Sequence, residues 1–162
     1  MISERLAKAI NEQLNFELAS GFVYKGMEAY FGKEGYDGFK HFMKLQAEEE
    51  YEHHQKFAEF LYEVDCTVEY KAIPDVKNDY ESPKAAIEAA LEHEKEVTKR
   101  IHNLYEIALE EKDYEAITTL DWFLNEQVEE EDNFRHILDQ YDLLDDAKTT
   151  TYWIDKELGK RQ

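Results

Sequence analysis

Apolar residues recur along this chain in steps of three and four over four long stretches, the spacing that lines one face of an α-helix. The first stripe reads Ile10, Leu14, Glu17, Gly21, Tyr24, and the second Phe39, Met43, Gln46, Glu50, His53, Phe57, Phe60, Val64. The third reads Ile87, Ala90, Glu94, Val97, Ile101, Leu104, Ala108, and the fourth Ile117, Leu120, Phe123, Gln127, Glu130, Phe134, Ile137, Tyr141. They predict helices over about Ser3–Phe31 and Asp37–Val64. A third helix opens on Ser82 as N-cap with Pro83 at the first helical position, and a fourth is capped by Asp113 after Glu110-Glu111-Lys112. A short glycine-rich turn, Gly32 to Gly38, makes the first two antiparallel neighbours. After a break at Asp145-Asp146, a short fifth helix is expected over Thr151–Leu158, with a Thr cap and Gly159 as its stop.

The irregular segment Asp65–Glu81 sets the topology. A helix of ~27 residues is ~40 Å long, and ~17 extended residues reach ~55 Å. The segment can therefore cross the whole bundle and start the third helix at the far end. The expected class is all-α: one domain, residues 1–162, built as a four-helix bundle with one long crossover. A loose linker between two helical hairpins is the alternative.

Composition agrees with this class and narrows the function. The chain has 162 residues, 43% apolar and 35% charged, with two prolines and six glycines. A formal charge of −19 argues against nucleic acid and anionic membranes as partners. No apolar run approaches the ~20 residues of a membrane span. Met1-Ile2-Ser3-Glu4-Arg5-Leu6 carries no signal-peptide core, and Cys66 is the only cysteine, so a cytoplasmic protein without disulfides is expected.

Each apolar seam is broken near its middle by the same chemistry: Glu17, Glu50 with His53, Glu94, and Gln127 with Glu130. A single seam glutamate can snorkel to water. Four at helix midpoints can meet at one level. Burying their four charges costs several kcal/mol each or forces protonation, unless about two divalent cations neutralise them. Glu-x-x-His on a bundle helix is a di-iron ligand pair. Oxygen donors with one imidazole suit iron or manganese better than a structural zinc. The inferred site is dinuclear, with Glu50 bridging, Glu17 and His53 on one metal, and Glu94 and Glu130 on the other. Glu49, Glu126 and Glu129 flank the seam as a wetter third site, as an exit path, or as an ordinary acidic face. Tyr24 is a hydrogen-bond donor or electron source, or a plain core aromatic. Gln127 is placed to orient bound oxygen. Trp122 is read as core packing ahead of an electron donor, His54 and His93 as exposed, and His41, His102 and His136 as having no identified partner.

These motifs resemble the bacterial non-haem ferritins. The resemblance rests on Asn11-Glu12-Gln13-Leu14-Asn15-Phe16-Glu17 with Tyr24, then Glu49-Glu50-x-x-His53, Leu91-Glu92-His93-Glu94, and Asn125-Glu126-Gln127-Val128-Glu129-Glu130-Glu131. It covers nearly the whole chain, including the crossover and the last helix. It implies a ferritin-like fold and a hollow homo-oligomeric shell of 24 subunits. In each subunit a ferroxidase centre would oxidise Fe2+ with O2 or peroxide, and ferric oxyhydroxide mineral would be stored inside. The implied centre is Glu17, Glu50, His53, Glu94 and Glu130 with Gln127. The extra bacterial iron site falls on Glu49, Glu126, Glu129 and Glu130, and the redox tyrosine on Tyr24. The second and fourth helices would line the cavity with Glu52, Glu59, Glu126 and Glu129, interrupted by Lys56.

Departures from relatives sharpen the reading. Asn133 stands where bacterioferritins have a second histidine. The methionines are Met1, Met27 and Met43, with Glu52 just before His53, so no haem is expected. One cysteine excludes a rubredoxin module. Two rival functions stay open: a peroxidase-like enzyme that retains its di-iron centre, and a metal-free acidic bundle acting as an interaction module.

Overall fold

In a computed structural model describing residues 2–162, with Met1 outside the described residues, the chain forms five helices and no strand. They are α1 (Glu4–Glu34), α2 (Asp37–Glu63), α3 (Pro83–Glu111), α4 (Tyr114–Leu143) and α5 (Ala147–Leu158). Their ends follow local chemistry. Ser3, Ser82 and Asp113 accept from the backbone N–H of Leu6, Ala85 and Ala116, satisfying donors that have no partner within the helix. Gly35 ends α1 in the left-handed region at φ 84°, where a side chain would be strained.

Two boundaries differ from the sequence expectation. Helix α1 continues through Gly32, Lys33 and Glu34, because one left-handed residue, Gly35, suffices to turn the chain. Helix α5 starts four residues early, at Ala147, because Asp146 is the cap: its carboxylate accepts from Lys148 N at 3.0 Å and Thr149 Oγ1 at 2.6 Å. The hydroxyls of Thr150 and Thr151 instead bond back to the carbonyls of Asp146 and Ala147 inside the helix.

The segment between α2 and α3 is the long crossover. Asn11 exchanges two hydrogen bonds with the Glu69 backbone, and Asn15 accepts from Lys71 N at 2.8 Å. Further along α1, Gly26 lets the Lys77 carbonyl oxygen lie against its Cα, where a Cβ would collide. The crossover thus climbs along α1, and α3 starts beside the C-terminal end of α1. At Gly21 the Ala47 carbonyl oxygen comes within 3.3 Å of where a Cβ would stand, so α1 and α2 pack closely beside the site.

The core is in two parts. One cluster holds Met27, Phe31, Phe39, Met43, Ile87 and Phe134 at one end of the bundle. The other holds Leu6, Leu14, Phe57, Ile101, Leu120 and Phe123 at the other end. Between them lies a layer of fully buried polar residues: Glu17, Gln46, Glu50, His53, Glu94, Gln127 and Glu130. The apolar ends clamp the four helices and hold this layer away from water.

Candidate metal centre

Each of the four long helices delivers one carboxylate to this layer, and its seam position explains how. Glu17, Glu50, Glu94 and Glu130 replace apolar residues in registers that face the bundle axis, so none can reach solvent; each is at most 1% exposed.

Three of the four carboxylates are oriented by neutral donors. Gln13 Nε2 donates to Glu17 Oε1 at 2.8 Å, and Gln46 Nε2 donates to Glu130 Oε2 at 2.9 Å. Tyr24 donates its hydroxyl to Glu94 Oε1, and Gln127 Nε2 donates to Glu94 Oε2 at 3.1 Å and to Thr98 Oγ1 at 3.2 Å. Glu50 has none. Both its oxygens, together with Glu17 Oε2, are the buried side-chain polar atoms without a partner among the described residues. Unpartnered buried oxygens of this kind are expensive. Here three of them share one layer with His53.

Two groups of donors are close enough to hold an ion. Atoms of Glu17, Glu50 and His53 lie within 4.8 Å of one another, as do atoms of His53, Glu126 and Glu130. His53 joins the two groups: Nδ1 is 3.5 Å from Glu50 Oε2 and Nε2 is 3.5 Å from Glu126 Oε1. Glu94 is turned towards Tyr24 and Gln127 and belongs to neither group, because those two donors hold both its oxygens. Glu49 and Glu129 line a pocket with Phe42, Glu126, Glu130, Asn133 and Arg161, and a neighbouring opening is lined by Glu52, His53, Lys56 and Trp122. The buried layer therefore opens towards the face shared by α2 and α4.

The electrostatics show how crowded the charges are. Burial, then Glu94 and Glu17, push the Glu50 carboxyl well above its ordinary range. Burial, then Glu94 and Glu49, do the same to Glu130. Burial lifts Glu94 to about 7 against the lowering effect of Tyr24 and Gln127. Burial alone would lower His53, but the bond to Glu126 and the charges of Glu17 and Glu130 raise it to about 9. That same bond lowers Glu126. Burial and then Glu94 raise Tyr24, which keeps its proton. Burial and mutual repulsion thus favour the protonated forms of Glu50, Glu94 and Glu130.

Several side chains stand elsewhere than expected. His54 is buried, its ring nitrogens facing Tyr51 O at 2.5 Å and Tyr70 Oη at 3.2 Å, because the crossover folds over that side of α2. His93 stacks on Phe16 at 5.4 Å and bonds Ser20 Oγ at 2.7 Å; burial, then Arg100, lower it to about 4. Trp122 is 38% exposed instead of packed in the core. Its ring meets His53 edge-on at 5.5 Å, and the Lys56 ammonium lies 4.3 Å from its centroid. His41 does have a partner, the Arg161 carbonyl. The seam reading places Gln46 on the second stripe without a role and does not include Gln13 or Arg161. The signal for Gln13 is Gln-x-x-x-Glu, a glutamine one turn before a seam glutamate; Gln46 is marked only as a polar residue on an apolar seam, its partner Glu130 lying on another helix, and Arg161 carries no local signal.

Comparison with known proteins bears on the family and the fold. The profile of the ferritin-like domain matches residues 7–144. The bacterial non-heme ferritin of Staphylococcus aureus (strain USA300) is 39% identical over 161 residues, covering 99% of this chain and 97% of that protein. That of Staphylococcus haemolyticus is 38% identical over the same length. Among solved structures, an open pore ferritin from the hyperthermophilic archaeon Archaeoglobus fulgidus superposes with a TM-score of 0.97 at 39% identity, with both chains fully covered. A humanized archaeal ferritin superposes at 0.96, covering 100% of this chain and 98% of the other.

Proposed function

This chain belongs to the ferritin family and is an iron-storage protein, and on that premise we propose that it loads iron by oxidising Fe2+ at the centre between its four long helices. The observation that carries the proposal is the set of three buried carboxylate oxygens, on Glu17 and Glu50, with no hydrogen-bond partner among the described residues. Arriving Fe2+ supplies that partner. Glu17, Glu50 and His53 hold one ion; Glu130 and Glu94 hold the second, with Glu50 shared between them. Uptake expels the protons held on Glu50, Glu94, Glu130 and His53 to the open side of the layer.

Two Fe2+ ions then give one electron each to O2, which leaves with two protons as hydrogen peroxide. With peroxide as oxidant, the same two electrons and two protons yield two waters. A carboxylate-rich site favours the harder, more highly charged Fe3+, and this supplies driving force. Tyr24 and Gln127 hold Glu94 until iron draws it away. Fe3+ leaves through Glu49, Glu126 and Glu129, so the centre turns over and iron is its substrate. The residue just before His53 is Glu52, not methionine, and we propose no haem.

The working particle is a homo-oligomeric cage, which we place at 24 copies in the cytoplasm, with residues 1–162 as one ferritin-like domain. Phe22 and Tyr51 are half-exposed and line an apolar groove between α1 and α2 with Leu18, Gly21 and Ala47. A second copy of the chain would cover it. Among the described residues no helix is long and apolar enough to cross a membrane.

Oxygen uptake after anaerobic Fe2+ loading tests the proposal. Glu50→Ala should cut the initial rate at least tenfold while the assembly keeps its size. An unchanged rate would remove the centre from the mechanism.

A further inference from the structure

The acidic pocket beside the centre already contains a cation supplied by the chain itself. The segment after α5 folds back onto α2. Asp155 accepts from Phe39 N at 3.0 Å, and Gly38 carries no side chain where the Asp155 carbonyl comes in. Gly159 closes α5, and the Arg161 carbonyl reaches the His41 ring. The Arg161 guanidinium then lies 4.7 Å from the centre of the Phe42 ring. It donates to Glu49 Oε1 at 2.5 Å and to Gln46 Oε1 at 2.7 Å. The amide of that same Gln46 donates to Glu130 Oε2. A line of hydrogen bonds therefore runs from the tail guanidinium, through a fully buried amide, to a carboxylate of the centre.

We propose that Arg161 is a tethered counter-ion for the Glu49–Glu126–Glu129 pocket, which an iron ion must displace in order to pass. The inference rests on reading that pocket as the iron path from the centre. A guanidinium spreads one positive charge over a plane and binds a carboxylate through N–H donors. A divalent or trivalent iron ion brings more charge to the same oxygens and offers no donor hydrogens. The guanidinium holds one oxygen of Glu49 and leaves the other open to an ion; once bound there, the ion repels the guanidinium and competes for its acceptor. Arg161 then swings out with the tail, and the amide of Gln46 is freed from the orientation it shares between Arg161 and Glu130. Arg161 thereby lowers the pocket's affinity, so that iron does not lodge there. It is a positioning residue and touches no reacting atom.

The test is calorimetric titration of the intact, metal-free assembly with Co2+, with bound cobalt per chain measured after gel filtration. The variants are Arg161→Gln, Arg161→Lys and Glu49→Gln. Hydrogen exchange of residues 155–162 is read before and after saturation. In the wild type we expect a weak binding step at the pocket and a rise in tail exchange when it fills. Arg161→Gln should tighten that step at least fivefold, change the other steps less than twofold, and make tail exchange high from the start. Arg161→Lys keeps the charge but loses the fork and the stacking on Phe42, so its affinity should fall between wild type and Arg161→Gln, and Glu49→Gln should abolish the step. If Glu49→Gln removes the step but Arg161→Gln leaves both affinity and tail exchange unchanged, the counter-ion role is refuted. If Glu49→Gln leaves the stoichiometry unchanged, the pocket is not an ion site, and the reading beneath the proposal fails instead.

Discussion

Replacing Glu50 with glutamine should reverse the stability order of this protein between its metal-free and metal-loaded forms. Glu50 is 1% exposed and neither of its oxygens has a partner, while Glu17 and Glu94 bear on it from two other helices. An unsatisfied buried polar group costs about 1–3 kcal/mol, and more when charged. Glutamine keeps the shape, stays neutral at every pH, and offers two donor hydrogens towards the free oxygen of Glu17 where the protonated carboxyl offers one. The metal-free variant should therefore be about 1–3 kcal/mol more stable than wild type. At ~2–4 °C per kcal/mol for a domain of this length, the melting temperature should rise by roughly 2–12 °C. The gain should grow with pH. A carboxyl whose folded pKa is raised stabilises fully below its unfolded pKa, and that stabilisation is lost as pH rises towards the folded value. Metal-free wild type thus weakens from about pH 5 upward, and Glu50→Gln does not share that loss. With metal at 100 times its dissociation constant, wild type gains about 2.7 kcal/mol, and the variant gains much less. Calorimetric melting of chelator-treated and Co2+-saturated assemblies at pH 6 and pH 8 reads all four states. A metal-free variant less stable than wild type at pH 8 would refute the reasoning.

Three other consequences can be checked. Ion uptake should release protons, more at pH 6 than at pH 9.5, because Glu94 at about 7 and His53 at about 9 hold protons at the lower pH; titration in buffers of different ionisation enthalpy counts them, and equal release at both pH values would contradict the protonated layer. Tyr24→Phe removes a donor to Glu94 worth about 0.5–1.5 kcal/mol; its iron oxidation should slow by up to about tenfold, more at pH 6 than at pH 8, since Glu94 then rises further, whereas a pH-independent change would assign Tyr24 to electron supply alone. Gly38→Ala should drive α5 off α2 at a cost of about 1–3 kcal/mol, seen as faster hydrogen exchange in residues 147–158 with α1 and α3 unchanged; unaltered exchange would mean that α5 is held by other contacts.

The bundle was legible because helical period and burial coincide along its seams. Glu17, Glu50, His53, Glu94, Gln127 and Glu130 stand out as polar residues at apolar positions, and the structure brings all six into one layer. Helix starts at Ser82 and Asp113 were readable from capping chemistry, which is local. What escaped is non-local. The partners of Asn11 and Asn15 are backbone groups of the crossover, more than 50 residues away, and no periodicity announces such pairs. Arg161 meets Glu49 across 112 residues because α5 docks on Gly38. His54 and His93 lie off the seam on their own helices. The crossover covers one, and α1 covers the other through Phe16 and Ser20, so single-helix patterning underestimates their burial. The C-terminal end of α1 was misplaced because Gly32, which lies against the Lys40 side chain, resembles a turn glycine in sequence.

The most direct test is an aerobic Fe2+ loading series on the intact assembly, followed by gel filtration with iron and protein measured in every fraction. Storage through a turning-over centre predicts iron co-eluting with one very large particle and rising with each addition, far beyond two ions per chain. Iron that stops at about two per chain on a small particle would mean that the centre keeps its metal, and would contradict the account.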